Sequence, residues 1–345
     1  MKKTDGMLSR PLFVHSNAFL SDYLPQQLGR SGNTTASYRN CMRLLRDYIE
    51  ETTRHSFYSF PFANATRDFV LGFLVWIESR GCCKATRNQR LACIRTYARF
   101  VMDLDFEMAS WGTDILSIPM TTAEKPTVGW LREEALESIL KQPGSSRIGI
   151  RDSAFMVLMY ETGARVSEMV GLHLRDLNLF GSGSSVRLHG KGKKTRDVPI
   201  GDKATRLLGR YFQLYHPSAE NDADAFVFYT VIHGARNRMS VGNVERMVSK
   251  YASEARKENP LVPERVTPHM FRHTRATHLL RAKMPLPLIG RFLGHVSLET
   301  TNVYASCDVD MFREAIGEVE KNTPGMQEEA VWMENKEMIS RLCGL

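Results

Sequence analysis

The stretch Val186-Arg187-Leu188-His189-Gly190-Lys191-Gly192-Lys193-Lys194-Thr195-Arg196-Asp197-Val198-Pro199-Ile200 decides the fold class. Residues 186–189 and 197–200 read as short strands, and the Gly-Lys-Gly-Lys-Lys run between them is a turn, so a hairpin is predicted. Everything around it has helical period. Downstream, helices are predicted at 202–215, 242–257, 267–283, 286–293 and 297–305. Upstream, apolar periodicity marks 131–140 and 152–161. Further upstream, Tyr38, Cys41, Met42, Leu45 and Tyr48 recur at helical spacing, as do Phe69, Phe73, Trp76 and Ile77. The chain is therefore mainly α, with a small antiparallel sheet confined to its second half.

Between 118 and 128 the periodicity lapses into Ile-Pro-Met-Thr-Thr-Ala-Glu-Lys-Pro-Thr-Val. Two prolines among small polar residues predict a linker. It separates a helical domain, 1–117, from a mixed α/β domain, 129–310, and a tail follows at 311–345. The length of 345 residues suits two domains, and 43% hydrophobic with 24% charged residues is the balance of a globular protein with a full core. That balance excludes wholesale disorder, collagen-like repeats and a disulfide-stapled miniprotein. The longest apolar run, 69–77, is about half of what a membrane span needs. The charged N-terminus leads into no signal-peptide core, so no membrane partner and a cytoplasmic chain are expected. The six cysteines form no C-x-x-C pair, which predicts free thiols in a reducing compartment rather than zinc or a disulfide framework.

The net charge is +8, and the segment from Asp308 to Leu345 carries nine acids and four bases, −5, leaving +13 on the rest. A basic body with an acidic tail points to a polyanion, nucleic acid first. The segment 84–101 sharpens the point: Lys84, Arg87, Arg90, Arg95 and Arg99 occur with no acid among them. Such a helix is either a solvated face or a phosphate-contacting one.

Four segments of the second half concentrate groups suited to phosphate chemistry. In Thr162-Gly163-Ala164-Arg165-Val166-Ser167-Glu168 a glycine ends one helix, and Arg165 and Glu168 share a face of the next, so Glu168 can orient the guanidinium. The hairpin turn brings Lys191, Lys193, Lys194 and Arg196 within six residues. It lacks the helix-opening Gly-Lys-Ser/Thr of a nucleotide-binding loop. In Pro268-His269-Met270-Phe271-Arg272-His273-Thr274, His269 and Arg272 are helical neighbours able to converge on one phosphate. His269 and His273 also have the spacing of a metal pair, but no nearby Cys or carboxylate completes a zinc set. The fourth segment runs Leu293-Gly294-His295-Val296-Ser297 and then Thr300-Thr301-Asn302-Val303-Tyr304. Two arginines, a lysine, two histidines and a tyrosine are the parts of a metal-free phosphoryl transfer. Guanidinium forks neutralise the non-bridging oxygens, a phenol attacks phosphorus, and an acid protonates the leaving alkoxide. This favours covalent phosphotyrosine chemistry over hydrolysis and leaves the substrate open.

On these residues the sequence resembles the tyrosine recombinases, or phage-integrase family. The resemblance rests on Thr-Gly-Ala-Arg-Val-Ser-Glu, Gly-Lys-Gly-x-Lys-x-Arg-x-Val-Pro, His-x-x-Arg-His-x-x-Ala-Thr and Leu-Gly-His-x-Ser-x-x-Thr-Thr-x-x-Tyr, in that order, and on Ala85-Thr86-Arg87-Asn88-Gln89-Arg90-Leu91 in the first half. It implies the tyrosine recombinase fold: an N-terminal, SAM-like helical core-binding bundle that binds DNA, followed by the catalytic domain. It implies a site-specific recombinase that needs no cofactor and works as a homo-tetramer on two double-stranded DNA sites. Arg165 and Arg272 would clamp the scissile phosphate, with Glu168 supporting Arg165. Lys191 would be general acid for the 5′-oxygen, Lys193 and Lys194 being its reserves, and His269 and His295 would bond the phosphate or assist proton transfer. Tyr304 would form a 3′-phosphotyrosyl link whose stored bond energy lets a second end rejoin without ATP. DNA contacts are expected from Lys84, Arg87, Arg90, Arg95, Arg99, Lys193, Lys194 and Arg196, with base readout from 84–99 and 242–257. The acidic tail would dock on a neighbouring protomer. Arg275 stands where an apolar or small residue is more usual in the family. Two other outcomes share these residues: relaxation of DNA by a type IB topoisomerase, and DNA binding by a non-catalytic regulator that keeps the fold. A mobile-element integrase is the expected role.

Overall fold

The computed structural model describes residues 6–123, 129–179, 183–190, 194–217 and 222–294. The chain forms two compact units, Met1–Lys125 and Pro126–Leu345. As expected, the architecture is mainly helical with small antiparallel sheets.

In the first unit, α1 (Ser16–Ala18) runs into a π-helical stretch, Phe19–Gln27. There the Leu28 N–H donates to the Tyr23 carbonyl at 3.0 Å, the wider turn of that helix type, and Pro25 has no N–H to give. Four longer helices follow: α2 (Gly32–Thr52), α3 (Arg67–Ser79), α4 (Lys84–Leu104) and α5 (Ala109–Leu116). Ser31 and Thr66 start α2 and α3 by accepting from the Thr34 and Phe69 N–H groups, donors that a helix start leaves without partners. The core gathers Phe19, Leu45, Phe73, Leu91 and Tyr97. Helix α4 is central, packing on α2, α3 and α5. Ile118 is fully buried in this same core, and Thr121 exchanges hydrogen bonds with Asn88. The proline-containing stretch from 118 therefore begins as part of the first unit.

The second unit opens with α6 (Glu133–Lys141), α7 (Arg147–Thr162) and the short α8 (Val166–Val170). A three-stranded antiparallel sheet follows, β1 (Leu177–Asn178), β2 (Ser185–His189) and β3 (Thr195–Pro199), in that spatial order. The predicted hairpin is β2–β3, with Val186 opposite Val198 and Leu188 opposite Arg196 on the inward face. It closes through the Gly190 N–H on the Lys194 carbonyl at 2.7 Å. The remaining elements are α9 (Asp202–Tyr215), a hairpin of β4 (Tyr229–Ile232) and β5 (Ala235–Arg238), α10 (Val241–Glu258), α11 (Pro268–Arg281) and α12 (Leu286–Leu293). The helix predicted at 297–305 lies outside the described residues.

The β4–β5 hairpin was absent from the sequence expectation for a physical reason. Val231 and Ile232 are both exposed, at 63% and 53%, so the strands bury no alternating face for a pattern to reveal. The core of the unit, with Phe155, Tyr211, Phe228, Val248 and Phe271, lies between α7, α9, α10 and α11. No helix among the described residues is long and apolar enough to cross a membrane.

Candidate active site

Gly163 terminates α7 in the left-handed region, at φ +56°. A side chain there would be strained, and its Cβ would meet Leu293 Cδ2 at 2.7 Å. The reversal delivers Arg165 to the start of α8, where Glu168 holds it twice. Glu168 Oε2 accepts from the Arg165 backbone N–H at 2.8 Å, and Oε1 accepts from Nη1 at 3.0 Å. The Arg165 side chain is 38% exposed, while that of Glu168 is 4%. One end of the guanidinium is thus pinned from inside and the rest faces outward.

Arg272, on α11, is 1% exposed, the largest fully buried side chain described. Its Nη1 donates to the Gly163 carbonyl and its Nη2 to the Leu293 carbonyl, both at 2.7 Å. These are C-terminal carbonyls of α7 and α12, groups that a helix end leaves without intrahelical donors and that carry the negative end of its dipole. A buried guanidinium is tolerated here because charge-assisted hydrogen bonds replace its hydration. The same two bonds bring together three segments that are remote in sequence.

His269 lies one turn before Arg272 on the exposed side of α11, with part of its ring shielded by its neighbours. Burial, and then the charges of Arg272 and Arg165, push its imidazole below the ordinary histidine range. Its ring stands edge-on to His273 at 4.4 Å between centroids. Glu168 has the opposite balance. Burial raises its carboxyl, but the hydrogen bonds and charge of Arg196, then the N–H and charge of Arg165, outweigh this and hold it below the usual range. Two guanidinium groups beside a neutral imidazole can bind a phosphodiester and stabilise the extra charge of a five-coordinate phosphorus.

Several bases lie elsewhere than their spacing suggested. Lys84, Arg87, Arg90, Arg95 and Arg99 do not form one outward face, because α4 is surrounded on several sides. Lys84 and Arg99 are exposed. Arg87 is buried at 7% and pairs with Glu78 at 3.5 Å. Arg90 donates to the Ser37 carbonyl at 3.1 Å and Arg95 to the Leu116 carbonyl at 2.7 Å. In the hairpin, Lys194 is exposed but Arg196 is turned inward, its side chain 12% exposed and bonded to Glu168. Strand alternation carried that signal, since Arg196 shares a face with Val198. Arg275 also points inward, pairing with Glu161 at 3.2 Å and lying over the rings of Tyr160 and Phe292. Lys191, Lys193, His295 and Tyr304 lie outside the described residues. Sequence reasoning missed the backbone acceptors of Gly163, Phe292 and Leu293, which no residue type announces.

The chain is similar to known proteins over most of its length. The phage integrase family model matches residues 129–310. An integrase/recombinase of Sinorhizobium fredii, y4rC, is 32% identical over 302 residues, spanning 87% of this chain and 89% of its own. Tyrosine recombinase XerC of Syntrophus aciditrophicus is 29% identical over 84% of this chain and 91% of its own. Among solved structures, the Tn1549 transposon integrase in complex with transposon right end DNA shares the fold with a TM-score of 0.66 at 18% identity, over 88% of this chain and 98% of that one. XerH recombinase in its post-cleavage complex with difH substrate has a TM-score of 0.63 at 20% identity, over 85% and 81%. The chain therefore belongs to the phage integrase family, the tyrosine recombinases, which exchange DNA strands at specific sites.

Proposed function

We propose that this protein cuts and rejoins duplex DNA at a specific site through a 3′-phosphotyrosyl link to Tyr304. The observation that carries the reading is Arg272 locked to carbonyls at the ends of two other helices, one of them Gly163 in the turn that delivers Arg165. Held rigidly, these cations neutralise the phosphate where charge develops and need no reorganisation as phosphorus becomes five-coordinate. Tyr304 oxygen forms the new bond to phosphorus while the bond to the 5′-oxygen breaks. Lys191 supplies the proton that the departing 5′-hydroxyl carries, and His269 and His295 bond the phosphate or take the phenolic proton. A 5′-hydroxyl from the second site then reverses the step, releasing the tyrosine and joining the strands.

The first unit, Met1–Lys125, serves as the core-binding domain expected over 1–117, and 129–310 is the catalytic domain. Lys84, Arg99, Lys193 and Lys194 contact the DNA backbone, with the partly exposed Arg90 and Arg95 at the margin and bases read from 84–99 and α10. Arg87 and Arg196 are spent inward. Support for a DNA partner comes from relatives whose structures hold DNA, among them XerH on difH and a lambda integrase dimer on a COC′ core site. A homo-tetramer on two sites, a cytoplasmic location, a mobile-element role and docking of the acidic 311–345 tail on a neighbouring protomer complete the reading. The mobile-element reading takes its support from the Tn1549 integrase, a transposon protein that shares the fold.

The deciding experiment uses a nicked duplex of the native site, on which cleavage traps the covalent adduct. Wild type forms the adduct and retains this activity in excess EDTA, because guanidinium groups take the role of a metal. Tyr304→Phe forms none, yet binds the same DNA with an affinity within about threefold, since one hydroxyl adds little to a charge-driven interface. An adduct that survives the substitution sinks the assignment, and cleavage abolished by EDTA sinks its metal-free form.

A further inference from the structure

Arg196 sits among the bases of the hairpin, yet nothing in its setting resembles a phosphate contact. All three guanidinium nitrogens are committed inside the protein. Nη2 donates to Glu168 Oε2 at 2.8 Å, Nη1 to Glu168 Oε1 at 3.1 Å, and Nε to the Phe292 carbonyl at 2.9 Å. Backbone closes around it. A Cβ on Gly294, itself left-handed at φ +67°, would lie 2.9 Å from Nη1, and one on Gly190 would lie 3.6 Å from Glu168 Oε1. Glu168 is consequently one buried carboxylate between two cations, Arg196 inside and Arg165 outside. Its Oε2 is shared by Arg196 Nη2 and the Arg165 N–H, and its Oε1 by Arg196 Nη1 and Arg165 Nη1. Without Arg196 the full carboxylate would face Arg165, and the favoured geometry of such a pair is a two-pronged fork. Arg165 would then spend on Glu168 the donors that now face outward. The third bond acts on the opposite side of the site. Phe292 precedes Leu293, whose carbonyl holds Arg272.

We infer that Arg196 is a positioning residue of strand cleavage: through Glu168 and the Phe292 carbonyl it keeps Arg165 and Arg272 in register, and it makes no contact with DNA. The inference rests on the proposed role of those two arginines as the phosphate clamp.

The test compares full-length wild type with R196M, R196K, E168Q and E168Q/R196M, well below their melting temperatures. Adduct formation at saturating protein, DNA affinity with its salt dependence, and thermal stability are measured for each. R196M is expected to slow adduct formation roughly 100-fold, the scale of losing one preorganised donor, with affinity within about threefold and an unchanged salt slope. R196K restores less than about tenfold of that rate, because an ammonium cannot fork to two oxygens and a carbonyl together. The double variant is faster than R196M alone, since the neutral amide no longer draws Arg165 inward. This non-additivity is what a merely stabilising residue would not produce. A lower melting temperature with an unchanged saturated rate overturns the inference. So does weaker binding with a salt slope reduced by about one, which is the signature of a phosphate contact. If R196M does not fold, R196K decides, and a wild-type rate from it overturns the inference. An inert wild type overturns the underlying reading, whereas an active wild type matched by R196K overturns this inference alone.

Discussion

Burial and the permanent charges of Arg272 and Arg165 disfavour the protonated form of His269, and that sets a pH dependence. Burial and the charges of Arg272 and Arg165 lower its pKa, whereas an exposed or unfolded histidine titrates near 6.5. The folded state therefore binds this proton less readily than the unfolded chain. Stability from the neutral ring is intact above pH 6.5 and is lost as pH falls towards the folded value. Under the proposed mechanism the same ordering would govern catalysis, because only the neutral ring could accept a hydrogen bond from the attacking phenol. At subsaturating DNA, where the profile reports the free enzyme, the acid limb of cleavage should fall below pH 6.5, and His269→Gln should remove it. An acid limb at or above 6.5 that the substitution leaves in place would show that another group controls the step. His269 was readable from its spacing to Arg272; its lowered pKa was not, since burial, its main cause, and the charge of Arg165 both come from the fold.

At the level of elements, the turn after α7 is the most constrained junction of the site. Gly163 provides a left-handed residue, clearance for Leu293 and the carbonyl that holds Arg272. Gly163→Ala should lower stability by about 1–3 kcal/mol, seen as a fall in melting temperature. It should also slow adduct formation more than it weakens DNA binding, because Arg272 loses its anchor. Gly209→Ala within α9 is the control. A Cβ there meets nothing within 4 Å, so the change should be neutral or stabilising by up to about 1 kcal/mol. Equal effects from the two substitutions would count against the junction. Helices were legible because each buries one stripe, and β2–β3 because its turn glycines and alternation agree. The β4–β5 hairpin was not, although His233 and Gly234, both at positive φ, form the kind of two-residue turn that hairpins favour.

Among the described residues each unit holds its own main hydrophobic core, the second with a smaller cluster of Ala276, Ile289 and Leu293 beside it. Two thermal transitions are expected from calorimetry, since a two-state description holds for single domains and not for chains of several. Phe73→Ala should lower one transition and Phe155→Ala the other, each by about 3–5 kcal/mol, as both side chains are fully buried among aromatic neighbours. A single transition that both substitutions shift equally would show that the cores unfold as one. A lapse of periodicity over 118–128 was visible in the sequence. The burial of Ile118 was not, because packing rather than composition sets where an ordered unit ends.

The order of the four boxes, the alternation of periods and the charge distribution were enough to indicate the fold class, the family and the residue types of the site. They follow from backbone geometry and from chemistry local to each segment, both of which are written along the chain. Which bases turn inward was settled only by folding. Arg87 meets Glu78, and Arg196 meets Glu168 and a helix-end carbonyl, through contacts between segments far apart in sequence. A basic side chain is long enough to face solvent or a buried acceptor, and its direction depends on neighbours that its own stretch of sequence does not contain.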